Sequence, residues 1–395
     1  MVSRAHKPGQ RAYYPWPFFV AMAATLLLFF SFQALFPTLP IYVTTIGGSP
    51  ADNGLVTWVF ALVALLTRPL AGALADRWGR KPVLVLGAVF FGGGPLLYAL
   101  ASNVGLLLGA RAVHGMGLAL FTTSYQAFIA DLLLPGRYGE GLGLANVASS
   151  VAMVAAPLAG EWVERAFGFG TLFVLLGAIG GLGVLVTLAL PSRGHGGHGH
   201  TGLQEALRQP GVRAGSLGTA LLGVPFCAFI VFLPLMTDAR GLGGTGLVFA
   251  AYALAAALVQ PVAGRIADRW GCGTTALAGL ALIGLTAVGL AGVASRWALV
   301  GLAGLFGVGN GAARAGLDAC VQKSVSTSLR GSAAAIQYTA FDLLVGFGSL
   351  GLGLLADATD YSVMYATVSV ITLLGVVTGG LVVGGRRGIG GELER

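Results

Sequence analysis

Asp342 lies inside an apolar run covering 332–356, and a carboxylate there needs a reason. On insertion scales a charged group in mid-bilayer costs about 2.5–3.5 kcal/mol. At ~1.5 Å per residue Asp342 is about 16 Å deep, near the middle of a ~30 Å hydrocarbon core. Burial favours the neutral carboxyl and a nearby cation favours the charged one, so a group held between the two can load and release a proton. The alternative is a permanent ion pair that fixes helix packing. Asn310, Arg314 and Asp318 follow one another at i+4 steps and share a helix face. Arg314 and Asp318 can neutralise each other. Equally, Arg314 can alternate between Asp318 and Asp342, or grip an anionic group of a substrate bidentately. Tyr338 stands one turn before Asp342 on the same face.

Other polar groups interrupt apolar runs. Arg111 and His114 share a face. His114, a candidate substrate contact, is either a group that titrates near neutrality or a settled hydrogen bonder. Gln33, Tyr125, Gln126 and Tyr338 are candidates for a cavity wall or for bonds between helices, and Asn310 joins them as a substrate contact. Phe29, Phe30, Phe226 and Phe229 either line an apolar pocket or simply pack. His195, His198 and His200 lie in a Gly-rich stretch with nothing to orient them on a metal, so that stretch reads as flexible linker. No metal and no cofactor is expected. There is no H-E-x-x-H, no P-loop and no G-x-S-x-G elbow, so the chain does not read as an enzyme.

The elements that must position these residues follow from composition. Apolar residues make up 56% of the chain and charged residues 10%, where a soluble domain has roughly 25%. Gly occurs 64 times, which suits helices that pack closely in lipid. A span needs about 20 apolar residues. Twelve runs qualify: 16–44, 53–74, 83–101, 105–130, 139–163, 168–190, 214–237, 245–267, 274–294, 297–321, 332–356 and 361–384. The first is expected to kink near Pro37 and Pro40. It follows a basic head but is too long for a cleaved signal, so it reads as retained. Cys227, Cys272 and Cys320 fall in or beside apolar runs and read as small core residues, not as a disulfide frame.

The chain repeats itself. Pro69-Leu-Ala-Gly72-Ala-Leu-Ala-Asp76-Arg77-Trp78-Gly79 returns 192 positions later as Pro261-Val-Ala-Gly264-Arg-Ile-Ala-Asp268-Arg269-Trp270-Gly271. A repeat near half the chain length predicts an all-α membrane protein, twelve transmembrane helices in two pseudo-symmetric six-helix bundles. The bundles are 1–190 and 213–395, joined by a cytoplasmic linker at 191–212. With the N-terminus inside, cytoplasmic segments carry seventeen Lys and Arg against three on the other side. That bias places both termini in the cytoplasm of a cell-membrane protein. It also accounts for the net charge of +8 without a nucleic-acid partner.

The turn Gly72-Ala-Leu-Ala-Asp76-Arg77-Trp-Gly79-Arg80-Lys81 resembles the loop between spans two and three of the major facilitator superfamily. Arg111-Ala-Val-His114-Gly115-Met-Gly117 resembles that family's span-four motif, with His114 where Gln is usual. Pro135-Gly-Arg137-Tyr-Gly-Glu140-Gly-Leu-Gly143 is similar to the bridge from span four to five in its drug-efflux branch. Span five reads Ala152-x-x-x-Ala156-Pro157-x-x-Gly160-Glu161 where the antiporter signature has G-x-x-x-G-P-x-x-G-G: Pro157 and Gly160 match, while Ala152, Ala156 and Glu161 depart. The resemblance implies a monomeric secondary transporter in the lipid bilayer that exchanges a small-molecule substrate for protons. Asp342, Arg314, Asp318 and Arg111 would then couple the proton, and Pro157 and Gly160 would be a helix hinge. Gly72, Asp76, Arg77, Gly79 and Arg80, with Asp268 and Arg269 of the second copy, would gate the cytoplasmic side. The second copy has Cys272 and Gly273 in place of the basic pair, so its lock is expected to be weaker. The competing expectation is a facilitator or proton symporter for a sugar or organic acid.

Overall fold

The computed structural model describes residues 14–133, 138–192, 202–326 and 329–391; the side chains of Asp76, residues 138–140, 142–143 and 381–391 lie outside that description. Among the described residues fourteen α-helices follow one another in chain order. They are α1 (Trp16–Gln33), α2 (Leu35–Thr45), α3 (Pro50–Trp78), α4 (Arg80–Ala99), α5 (Val104–Leu132), α6 (Tyr138–Leu188) and α7 (Leu203–Arg208). Then come α8 (Pro210–Cys227), α9 (Leu233–Ala239), α10 (Gly246–Trp270), α11 (Cys272–Ala291), α12 (Arg296–Lys323), α13 (Arg330–Ala358) and α14 (Tyr361–Gly391).

Two proline-rich crossings are broken in different ways. Pro37 has no N–H for the Gln33 carbonyl, and α1 gives way to α2 at Ala34, slightly before the expected kink. Pro234 likewise has no N–H for the Ile230 carbonyl, and a π-helical segment, Ala228–Phe232, joins α8 to α9. In α6 the one residue with non-helical dihedrals is Gly168 (φ 80°, ψ 170°). The chain reverses there, and α6 supplies two crossings. With α1–α2 and α8–α9 each counted once, the bundle has twelve crossings.

Caps define the ends. Ser49 accepts from the Asp52 N–H at 3.2 Å, and the Asp52 carboxylate accepts from the Ser49 N–H at 2.8 Å, a reciprocal box at the head of α3. The repeated turn has the same backbone in both copies. Gly79 (φ 89°) joins α3 to α4 and Gly271 (φ 105°) joins α10 to α11, a conformation that disfavours any side chain. These two turns mark one end of the bundle, here called the turn end; the opposite end is the far end.

The two halves match in packing detail. A shift of 192 carries Gly87 onto Gly279 and Phe121 onto Ala313. In each half the glycine of this pair lies against the backbone of its partner on the neighbouring helix. Gly115 against the Phe60 carbonyl and Gly307 against the Tyr252 carbonyl are another such pair. The high Gly content is therefore spent on close helix approach. Between halves, α3 packs on α13, α6 on α10, and α2 on α9 and the π segment.

The cysteines depart from expectation. Cys272 at the head of α11 is bonded to Cys320 of α12, with Cα atoms 5.3 Å apart. Cys227 alone remains a buried free thiol. The bond has a counterpart in the first half. Position 272 is the repeat of Arg80, and Arg80 ties α4 to α5 through Asp131 and the Ala127 carbonyl. One half thus clamps its two helices with charge and the other with a covalent bond.

Candidate functional site

A cavity of about 710 Å³ lies between the halves. Its closed end is formed by Leu35, Phe36, Leu39 and Pro40 from α1–α2, with Ile230 and Val231 of the π segment. Towards the turn end its walls become polar, through Thr122 and Gln126 of α5, Asn146, Ser149 and Ser150 of α6, Gln260 of α10, and Arg314 and Asp318 of α12.

The far end is sealed by two seams. Ser349 Oγ of α13 donates to the Gly54 carbonyl of α3 at 3.1 Å, and a Cβ on Gly54 would fall on the Ser349 carbonyl. Gly353 packs against Pro50 and Gly54. At the other seam the Gly246 N–H, heading α10, donates to the Glu161 carboxylate of α6, and Glu161 also pairs with Arg165 at 2.7 Å. An acidic oxygen there satisfies an orphan donor at a positive helix end. The seams are related by the repeat: Gly54 maps onto Gly246, Ser349 onto Pro157 and Gly353 onto Glu161. Glu161, the departure from the antiporter signature, is thus a seal residue that uses a hydrogen bond where its mate uses glycine packing.

Asp342 lines the cavity, and its carboxylate pairs with Arg68 of α3, across the two halves. Of the arrangements the sequence left open, the one in which Arg314 pairs with Asp342 is not seen here. The two side chains are 25% and 23% exposed, so the pair is only partly desolvated. Arg314 and Asp318 both line the cavity, but their nearest atoms are 4.0 Å apart, beyond hydrogen-bond reach. Asp318 instead accepts from Gln337 Nε2 at 2.9 Å. The Arg314 guanidinium lies over the rings of Tyr338 (4.9 Å) and Phe341 (5.3 Å). Asn310 donates to the Tyr252 hydroxyl at 2.9 Å on the same wall. Arg111 reaches the cavity edge; its guanidinium sits 4.1 Å from the Phe60 ring centroid and donates to the Tyr98 hydroxyl at 3.3 Å and the Val56 carbonyl at 3.4 Å.

Gln33, Gln126, Asn310 and Tyr338 are on the cavity wall, as are Phe29 and Phe226. Two expected substrate contacts are not. His114 is fully buried behind the wall, bonded through Nδ1 to the Tyr98 hydroxyl and packed among Phe32, Phe60 and Phe91. Tyr125 is buried against Phe121, and its hydroxyl donates to the Ala145 carbonyl at 3.3 Å. Phe229 stacks on Phe306 in the core, and Phe30 packs with a second core cluster. Pro157 and Gly160 sit in unbroken helix and not at a kink, and Gly160 packs against Ala34 where α1 meets α2.

At the turn end, Gly72 and Gly79 are buried and Arg77 is exposed; the side chain of Asp76 is outside the described residues. The described bonds of Arg80 stay in its own half. Asp268 pairs with Lys323 at 2.8 Å, again within one half, and Arg269 is exposed. The two seams that join the halves, Gly54–Ser349 and Gly246–Glu161, lie at the far end. Among the described residues no cluster of His, Cys, Asp or Glu can hold a metal. His195, His198, His200, Arg137 and the side chain of Glu140 lie outside the described residues.

Arg68 is the site residue that sequence reasoning left without a role. A signal existed, because a guanidinium within a span needs a polar partner and Asp342 is one of the few carboxylates within spans. The repeat also organises the walls: Thr122, Gln126, Asn146 and Ser150 are the mates of Arg314, Asp318, Tyr338 and Asp342, and Gln260 is the mate of Arg68. All ten positions line the cavity. One member of each pair is neutral, and four of the opposite members are charged.

Comparison with known proteins agrees with this architecture. The family model described as Major Facilitator Superfamily matches residues 21–245 and 215–388. Multidrug resistance protein 2 of Bacillus subtilis is 24% identical over 167 residues, 41% of this chain and 42% of that protein. The quinolone resistance protein NorA of Staphylococcus aureus is 24% identical over 172 residues, 44% of each chain. The alignment thus spans less than half the length of these relatives. Among solved structures, the peptide transporter POT superposes with a TM-score of 0.79 at 15% identity, covering 95% of this chain and 96% of that one. A bacterial homologue of the lysosomal transporter Spinster superposes with a TM-score of 0.73 at 17% identity, with 95% and 96% covered.

Proposed function

The chain belongs to the major facilitator superfamily, and from that premise we propose that it is a proton-coupled efflux transporter of the cell membrane, working by alternating access. The reading rests on one observation above the others: a carboxylate in the cavity wall, Asp342, is paired with a guanidinium of the opposite half, Arg68. Charged Asp342 holds α13 to α3. Protonation leaves Arg68 without its counter-charge and weakens that hold, so proton loading and the relative position of the halves are coupled. Each inward proton is worth about 2.3 kcal/mol per 100 mV of membrane potential. The turn end faces the cytoplasm in this reading, which follows from the distribution of Lys and Arg. The efflux assignment is supported by the resistance proteins among the relatives. The protein acts as a monomer and performs no catalysis.

Proteoliposomes with an imposed pH gradient test this. Asp342→Asn is expected to lose pH-driven flux while still exchanging substrate down its own gradient. Undiminished pH-driven flux in the variant would remove Asp342 from the coupling. A facilitator or symporter for a sugar or organic acid is the second reading, favoured by the guanidinium of Arg314 in the cavity wall. A uniporter ignores the pH gradient, and a symporter accumulates substrate with it.

A further inference from the structure

The charges on the cavity wall do not balance. Three guanidiniums (Arg68, Arg111 and Arg314) face two carboxylates, Asp318 and Asp342. Arg68 and Asp342 pair with each other. Arg111 is held by neutral acceptors, and no carboxylate lies within ion-pair reach of it among the described residues. Asp318 is turned to Gln337, which leaves Arg314 4.0 Å from its nearest acidic oxygen. A cleft with this surplus holds a positive potential and draws in anions, because low-dielectric walls screen it poorly.

The surroundings of Arg314 limit what kind of anion fits. Its guanidinium lies against the rings of Tyr338 and Phe341 and is part of the cavity wall, where its N–H donors can meet an anionic group. Phe29, Phe32, Phe36 and Phe226 continue the lining as an apolar aromatic surface. At about 710 Å³ the cavity suits a drug-sized molecule. Taking the cavity as the transport site, we propose that it binds organic anions with a flat apolar body and a carboxylate or similar head, the head seated on Arg314. Lipophilic cations are disfavoured, since Asp342 is engaged by Arg68 and the net field opposes them.

Binding of 2-naphthoate, its neutral isostere 2-naphthamide and the cation tetraphenylphosphonium to the full chain in lipid nanodiscs tests the proposal by calorimetry at neutral pH. Naphthoate is expected to bind roughly tenfold or more tightly than naphthamide, the size of one charged hydrogen bond. Arg314→Gln should erase that preference and Arg314→Lys restore part of it. Asp318→Asn, which removes a competing negative charge without touching Arg314, should tighten naphthoate binding. Equal binding of naphthoate and naphthamide, no binding of naphthoate, or preferred binding of the phosphonium would each overturn the proposal. Phosphonium transport driven by a pH gradient would sink it while leaving proton-coupled efflux standing. Naphthoate binding without pH-driven flux would do the reverse.

Discussion

Two ion pairs at the cavity differ in geometry and so in what they can do. Arg68 and Asp342 are in contact across the halves. Removing one partner leaves the other's charge only partly hydrated, a cost of about 1–3 kcal/mol. Arg68→Gln and Asp342→Asn should therefore each lower the melting temperature of the detergent-solubilised protein. The double variant should be more stable than the sum of the two losses predicts; strict additivity would mean the pair is not coupled. Arg314 and Asp318, 4.0 Å apart, share no hydrogen bond and attract each other only through space, so their coupling should be weaker. Sequence alone exposed which residues are costly in lipid, and so identified Asp342, Arg314, Asp318 and Arg111. It did not expose their partners, because Arg68 and Asp342 stand 274 positions apart and only the docking of the halves joins them. His114 was misplaced for a related reason. A histidine one turn from a cavity arginine can point to the cavity or behind it, and here Gly94 makes room behind.

At the scale of elements, the repeated turn shows how one backbone serves two chemistries. Gly79 and Gly271 hold the same conformation, yet the first residue after each clamps its helix differently, by the charge of Arg80 or the thiolate-derived bond of Cys272. Closing the 48-residue loop between Cys272 and Cys320 restricts the unfolded chain. Cys272→Ser, or dithiothreitol on the wild type, is expected to lower the melting temperature by several degrees. An unchanged melt would show that α11 and α12 are held by packing alone. The turn itself was legible from Gly, Asp and Arg at fixed offsets. The bond was not, since nothing in the spacing of three cysteines tells which two meet. The first-crossing break was legible from its prolines; at Pro157 α6 runs on without a break, and it reverses at Gly168.

At the scale of the molecule, the two seams at the far end derive from one duplicated interface. Gly54→Val puts atoms onto the Ser349 carbonyl and should keep the α3–α13 seam from closing. A Thr57→Cys reporter in the cavity wall should then react faster with a membrane-impermeant maleimide added from the far side. An unaltered labelling rate would place the seal elsewhere. The number of crossings and the two-fold plan were plain in the sequence, because twelve apolar runs and a gapless repeat leave little choice. The side on which the cavity stands open was not legible, as it depends on how the halves dock.

The seams are also fastened at unequal depths. Arg68 and Asp342 hold α3 to α13 from within the chamber, whereas Glu161 grips the head of α10 near the far rim. A guest lying in the chamber can touch the first fastening and never the second. On the transport cycle proposed above, loading would thus be one-sided, and the α6–α10 edge would learn of it through the stiffness of its own bundle.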